Sequence, residues 1–191
     1  MTTTEYFTKR IIQDGHIESK YIQKVAARAD VNLQRYYSLL RSTKMDGIEE
    51  LISTIHRSTF STAHSHSHHH YMTGTLEHSL GVYDELVKLA EGSSIPENHI
   101  ILAALLHDIS MGYCKEWSRY CGHGRRSRQI VTKYLRDVPR EVRIAIELHK
   151  HHTNADGTMN SKDYPLWDLL VTADHKDAAK CNNAAAFIEK M

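Results

Sequence analysis

The stretch that decides the fold is "SSIPENHIILAALLHDI", from Ser93 to Ile109. Between Ile100 and Leu106 it is apolar on every side, which is typical of a helix buried at the centre of a domain. Two polar residues, His107 and Asp108, follow this segment directly. Because a buried carboxylate costs free energy unless it is paired or bound to a metal, the stretch predicts a central helix with a polar site at its end.

Two later segments also direct a polar residue inward, since each continues an apolar helical face at the spacing i, i+3, i+4, i+7. The apolar positions are Val142, Ala145 and Ile146 in one segment and Trp167, Leu170 and Val171 in the other. The polar residues are His149 and Asp174, and an earlier face begins at His78 and continues through Val82. A single buried histidine or aspartate is usually a hydrogen-bonded core residue. When several histidine and aspartate side chains converge, a bound cation is the simplest way to offset the cost of burying them together.

The other segments are helical in pattern as well, and none alternates between apolar and polar residues with period 2, so we predict an all-α fold. The early segment "IESKYIQKVAARADVNLQRYYSLL" has the spacing of a packing helix or helix pair. We expect residues 1–44 to form an N-terminal helical segment that packs on the core, and residues 45–191 to form the main domain.

The bulk composition excludes several classes of protein. The chain has 191 residues and a formal net charge of +1, which gives no global sign of a nucleic-acid or membrane partner. No stretch approaches the roughly 20 apolar residues that cross a bilayer, and "MTTTEYFTKR" lacks the apolar core of a secretion signal. The cysteines Cys114, Cys121 and Cys181 form no CxxC pair. We therefore expect a cytoplasmic protein.

Histidine is the residue in excess, with 15 in the chain. Histidine binds metals and carries protons near neutral pH. Six histidines lie in "AHSHSHHHYMTGTLEHS", from Ala63 to Ser79, a run that resembles an affinity tag but is internal. The question is which of them belong to a site.

Six blocks occur in order: "DGIEELISTIHRSTF", "HHHYMTGTLEHSLGVYDEL", "LLHDI", "GHGRRSRQIVTKYL", "AIELH" and "YPLWDLLVTADHKDA". This ordered set resembles the HD-domain metal-dependent phosphohydrolases, and within them a bacterial and phage subgroup. The same blocks are similar to the HD domain of bacterial 3′–5′ exoribonucleases. The resemblance extends from about Met45 to about Ala179 and implies a helical bundle.

The resemblance also implies a set of metal ligands. One divalent cation would be held by His78, His107, Asp108 and Asp174. A second would be completed by His123 and His149, with Asp108 as the bridging, catalytic residue. Mixed imidazole and carboxylate ligands suit Mn, Fe, Co, Ni or Zn better than Mg. In such a site a hydroxide shared by the two metals would attack phosphorus in line.

Several residues are candidates for binding the substrate. Arg125, Arg126 and Arg128 begin a helix after "GHG", where guanidinium groups and the helix N-terminus favour phosphate; the alternative is a solvated basic face. Lys150 follows His149, and Lys176 lies two residues after Asp174. The resemblance implies that His68 and His69 lie behind the metal ligands or face the phosphate, and that Tyr71 also matches. The histidines His64, His66 and His70 are expected only to line the entrance.

The predicted function is hydrolysis of a phosphomonoester or phosphodiester of a phosphorylated small molecule, a nucleotide or a nucleic-acid end. One alternative is an HD-type diiron oxygenase, which uses the same six ligands. Another is a non-catalytic module that binds metal or a nucleotide. Related sequences often carry lysine where this chain has Met111, which leaves the substrate open. The sequence does not decide the oligomeric state, and residues 1–44 could cap the site, mediate a dimer or only pack.

Overall fold

The computed structural model of the chain describes residues 19–63, 68–69, 71–113 and 122–181, and side chains from Val25 onward. These residues form seven α-helices and three short 3₁₀ helices. The α-helices are α1 (Ser19–Ser42), α2 (Ile48–Arg57), α3 (Gly74–Leu89), α4 (Glu97–Leu106), α5 (His123–Tyr134), α6 (Arg140–Leu148) and α7 (Pro165–Lys180). The only β pairing among them is an isolated bridge between Thr153 and Asn160. The predicted all-α fold is confirmed.

Helix α4 is the centre of the bundle, as its all-round apolar sequence predicts. Every residue from Ile100 to Leu106 is buried. Helix α1 packs against it, and the hydroxyl of Tyr36 donates a hydrogen bond of 2.6 Å to the carbonyl oxygen of Leu105. That carbonyl lies in the last turn of α4, where backbone acceptors have no partner within the helix. The bond therefore ties α1 to the end of α4 from which His107 emerges.

The helices that carry polar residues pack against one another around α4. Helix α3 packs mainly against α7 and α4, and α6 packs against α5 and α7. The buried Trp167 on α7 donates from Nε1 to the carbonyl oxygens of Leu148 and His151, each at 2.9 Å. These bonds satisfy acceptors at the C-terminal end of α6. They hold that end against α7, which brings the positions of His149 and Asp174 close together.

Helix α1 is one continuous helix, and the predicted boundary at residue 44 falls between its last residue, Ser42, and the start of α2. It is connected to α3 by charged contacts. The guanidinium of Arg28 binds the buried carboxylate of Glu77 in a bidentate pair, and Asn32 also donates to that carboxylate. Glu77 precedes His78, so α1 contacts the helix turn that carries this histidine.

None of the helices in these described ranges combines the length and the hydropathy that a bilayer crossing requires.

Candidate metal centre

The six side chains predicted as metal ligands converge from five helices. They are His78 within α3, His107 and Asp108 directly after α4, His123 at the first position of α5, His149 directly after α6, and Asp174 within α7. Their donor atoms form overlapping groups of three in which all atoms lie within 4.8 Å of one another. The structure thus brings together every residue of the predicted set.

Asp108 lies at the middle of this cluster, and its two carboxylate oxygens face different histidines. Oδ1 is 3.3 Å from Nε2 of His123 and 3.5 Å from Nε2 of His149. Oδ2 is 3.7 Å from Nε2 of His107. Although Oδ1 is buried, it makes no hydrogen bond within the described part of the chain. A buried carboxylate oxygen without a partner is costly, and a cation would meet that need.

The cluster has two sides, which are named here by their helices. On the α3–α7 side, Nε2 of His78 lies 3.0 Å from Oδ1 of Asp174 and 3.4 Å from Nε2 of His107. On the α5–α6 side, the Nε2 atoms of His123 and His149 are 3.0 Å apart. Asp108 lies between the two sides, which is the arrangement that a ligand shared by two cations requires.

Two of the histidines are oriented by the ends of their own helices. His107 donates from Nδ1 to the carbonyl oxygen of Ala104, and His149 donates from Nδ1 to that of Ile146, both at 2.8 Å. Each acceptor lies three residues earlier, in the last turn of the helix, where carbonyl groups lack a helical partner. A carbonyl oxygen only accepts, so Nδ1 carries the hydrogen, and Nε2 is the atom that each ring presents to the cluster.

Burial and charge together set the protonation states of the side chains in the cluster. Burial lowers the pKa of His107 and that of His123 to about 4, so both rings are neutral at neutral pH, the form that binds a metal. Burial also opposes the charge on Asp108. The surrounding imidazoles, His107 first among them, nevertheless hold the pKa of Asp108 well below its usual range. The carboxylate of Asp108 is therefore ionised while the rings of His107 and His123 are neutral.

His78 has the most acidic surroundings of the four histidines. Burial lowers its pKa, but hydrogen bonds with Asp174 and Asp177 outweigh burial and raise the pKa to about 10. The two carboxylates thus attract a positive charge to His78, which a proton or a metal cation can supply. The donor set, its burial and the orphaned oxygen of Asp108 fit a divalent cation.

Gly124 allows the α5–α6 side to form. A Cβ atom at this position would overlap the carbonyl oxygens of Glu147 and Ile146 in the last turn of α6. Only glycine lets the first turn of α5 approach so closely, and this approach sets the distance between His123 and His149. Ser110 adds a hydrogen bond of 3.0 Å from its hydroxyl to the carbonyl oxygen of His123.

His68 and His69, predicted to lie behind the metal ligands or to face the phosphate, lie beside His78. The ring centroid of His68 is 4.5 Å and that of His69 is 5.3 Å from the centroid of His78. His69 is buried and His68 is half-buried. Both are therefore at the α3–α7 side, and the partial exposure of His68 gives this side access to solvent.

The cationic candidates lie at the surface around the cluster. Arg125 is exposed and Arg126 half-buried, both in the first turn of α5. Arg128 instead forms an ion pair with Glu147, with 2.8 Å between Nε and Oε2. Lys150 is exposed, and its charge contributes to lowering the pKa of His123 after the larger effect of burial. Lys176 is exposed on α7.

Five residues of the sequence argument fall outside the described ranges, so their predicted places stay predictions. They are His64, His66 and His70 of the histidine run, and Cys114 and Cys121. Cys181 is described and is a buried free thiol.

Asp177 is a site residue that the sequence analysis missed. It is buried on α7, and its Oδ2 accepts a hydrogen bond of 2.8 Å from Nδ1 of His78. Its position three residues after Asp174 puts both carboxylates on one face of the helix. A second aspartate at this spacing on a helix that buries Trp167 and Leu170 was the available signal.

Comparison with known proteins supplies one match. Residues 75–184 match the family model of the HD domain, which is more than half of the chain. The searches of curated proteins and of solved structures give no match.

Proposed function

Because the chain belongs to the HD domain family, we propose that it is a metal-dependent phosphohydrolase that cleaves a phosphomonoester or phosphodiester. The observation that carries this proposal is the position of Asp108, whose two oxygens face the histidines of two different sides. A bridging carboxylate between two imidazole-containing groups is suited to a binuclear centre.

The proposed ligands follow the two sides of the cluster. On the α3–α7 side one cation would be held by His78, His107, Asp108 and Asp174, and on the α5–α6 side a second would be held by Asp108, His123 and His149. These nitrogen and oxygen donors favour Mn, Fe, Co, Ni or Zn over Mg, which prefers oxygen ligands and keeps its water. Ions of this kind supply an activated water at neutral pH and neutralise the phosphate oxygens as charge develops.

The protein's own residues contribute orientation and a low-dielectric site. His107 and His149 are held by helix-end carbonyls, so their rings need no reorganisation when a cation or a substrate binds. Asp108 is ionised in a buried position, where its charge acts on neighbouring groups more strongly than it would in water. These residues thus provide a fixed negative centre for cations.

The substrate that fits this arrangement is a nucleotide or an oligonucleotide end. Arg125 and Arg126, in the first turn of α5, combine guanidinium groups with the positive end of the helix dipole. Lys150 adds a positive charge near His123, and His68, His69 and Lys176 are further candidates for contact with phosphate. A basic first turn beside a metal cluster favours an anionic substrate that reaches the α5–α6 side first.

We propose that the chain belongs to the bacterial and phage subgroup whose motifs resemble those of 3′–5′ exoribonucleases. We further propose that it acts in the cytoplasm without a membrane partner, and that residues 1–44 form a segment distinct from the main domain, in which α1 braces α3. The pair between Arg28 and Glu77 supports a bracing role for that helix.

Metal analysis of the purified protein, followed by an anaerobic screen of phosphatase and phosphodiesterase substrates with Mn²⁺, tests the proposal. We expect two metal equivalents and release of phosphate or nucleotide. His107→Ala and Asp108→Ala should lose both metal and activity, whereas His175→Ala, a solvent-facing histidine on α7, should keep both. Full metal content in the first two variants would refute the site. Oxygen consumption by the iron-loaded protein without phosphate release would identify an oxygenase instead.

A further inference from the structure

Asp177 contacts the cluster through His78. It lies at Nδ1 of this ring, whereas Asp174 lies at Nε2. Its Oδ2 accepts from Nδ1 of His78 at 2.8 Å, and its side chain is only 5% exposed. The same oxygen lies 3.6 Å from Nε2 of His69, and Oδ1 lies 3.6 Å from Nζ of Lys180. Asp177 is therefore held from three directions, and its contact with His78 is the shortest of them.

The partner of Nδ1 distinguishes His78 from the two histidines at helix ends. His107 and His149 donate Nδ1–H to neutral carbonyl oxygens, whereas His78 donates to a carboxylate. A hydrogen bond to an ionised acceptor is roughly twice as strong as one between neutral groups. A carboxylate behind a ligating imidazole fixes the ring and strengthens Nε2 as a ligand. His78 alone among these three receives that support.

Space for this carboxylate is provided by Gly81, one turn after His78 on α3. A Cβ atom there would overlap the carboxyl group of Asp177. Gly81 lies inside a helix, where glycine is about 1 kcal/mol less favourable than alanine. Because the backbone gains nothing from glycine here, the close approach of Asp177 is the feature that requires it.

We propose that Asp177 is a positioning residue that fixes His78 with Nε2 towards the cluster and makes the cation site on the α3–α7 side the stronger of the two. This inference rests on the proposed binuclear centre. The α3–α7 site then binds its cation first, because the carboxylate of Asp177 strengthens His78 as a ligand. The α5–α6 site fills second, since His149 has only a carbonyl behind it.

The order in which the two sites bind a cation is tested by titrating the metal-free full chain with Co²⁺. Calorimetry and the visible absorption of the bound ion monitor the titration. We expect two binding steps in the wild type. Asp177→Asn keeps the shape and an acceptor oxygen but removes the charge, so it should weaken the first step by about 10- to 100-fold. The absorption band of the first ion should change, because its geometry depends on the orientation of His78, while the second step keeps its affinity.

Two further variants separate positioning from folding. Asp84→Asn is the matched control, because Asp84 is also a carboxylate, lies on α3 and pairs with Arg35 at the surface; it should leave both steps unchanged. Gly81→Ala keeps the charge of Asp177 but displaces it, so it should reproduce the loss in the first step. This variant also keeps the test decisive if Asp177→Asn fails to fold.

Three results would overturn the inference, and they are distinguishable. If Co²⁺ binds in two steps and both Asp177→Asn and Gly81→Ala keep the wild-type first step, the positioning role is wrong and the proposed function stands. If both steps weaken equally, Asp177 supports the fold rather than one site. If the wild type binds no Co²⁺, the proposed binuclear centre fails and the inference fails with it.

Discussion

The two sides of the histidine and aspartate cluster differ in the charges carried by the segments that form them. On the α3–α7 side, His78 is enclosed by the carboxylates of Asp174 and Asp177, at 3.0 and 2.8 Å. On the α5–α6 side, the chain from His123 to Lys150 carries eight arginines and lysines against three acidic residues. Asp108 is shared by both sides. Under the proposed function, the carboxylates behind His78 would stabilise a cation, and the cations on the other side would attract the phosphate of the substrate.

This difference indicates how one cluster could bind both a cation and a phosphate group, although the two have opposite electrostatic requirements. A site with enough negative charge to bind metal tightly would repel a phosphate ester. Here the carboxylates of Asp174 and Asp177 contact His78, while the exposed cations Arg125 and Lys150 follow His123 and His149 within two residues in the chain. The following variants break or sharpen this contrast, in order of decreasing effect.

Removal of Asp108, the residue shared by both sides, should abolish metal binding on both sides. Asp108→Ala removes the oxygen that faces His123 and His149 and the oxygen that faces His107. The loss of metal-derived stabilisation, several kcal/mol, corresponds to a fall in kcat/KM of about 1,000-fold or more. Activity assays together with metal analysis of the same preparation measure it. A variant that keeps one tightly bound ion and substantial activity would show that the carboxylate is not shared.

Separation of α5 from α6 should damage only the α5–α6 side. In Gly124→Ala the new methyl group would overlap the carbonyl oxygens at the end of α6, and overpacking of this kind costs about 1–3 kcal/mol in unfolding free energy. His123 would move away from His149, so we expect the second Co²⁺ to be lost while the first is retained. Gln129→Ala, an exposed change on α5, is the control. Loss of the first ion in Gly124→Ala would contradict the independence of the two sides.

Removal of the surface cations should affect substrate rather than metal. Arg125→Ala or Lys150→Ala each removes a charge on the α5–α6 side, and a charged hydrogen bond to phosphate is worth about 1.5–3 kcal/mol. We expect KM to rise about 10-fold with kcat and metal content nearly unchanged, and the effect to shrink at high salt. Lys133→Ala, on the exposed part of α5, is the matched control. An equal rise in KM for Lys133→Ala would indicate a diffuse basic surface.

The sequence predicted the fold and the six cluster residues, but not the interactions that orient them. Helical spacing identified the apolar faces, and the ordered motifs identified residues such as His123 that no periodicity marks. The carbonyl partners of His107 and His149 depend on where each helix ends, and that boundary is not visible in the apolar pattern. Asp177 and Gly81 are separated by about half the chain, so their contact follows from the packing of α3 on α7 rather than from any local spacing.

The smallest predicted effect concerns the brace between α1 and α3. Arg28 is 43% exposed in its pair with Glu77, which is 10% exposed. The free-energy cost of removing Arg28 should therefore lie between that of breaking a buried ion pair and that of breaking a surface ion pair. We expect Arg28→Ala to lower the free energy of unfolding by about 1–2 kcal/mol, measured by denaturant titration. Arg41→Ala, which breaks an exposed pair between Arg41 on the same helix and Glu49 on α2, should leave it nearly unchanged. Because Glu77 precedes His78, any accompanying loss of Co²⁺ affinity should appear in the first step; a loss confined to the second step would mean that α1 supports the α5–α6 side instead.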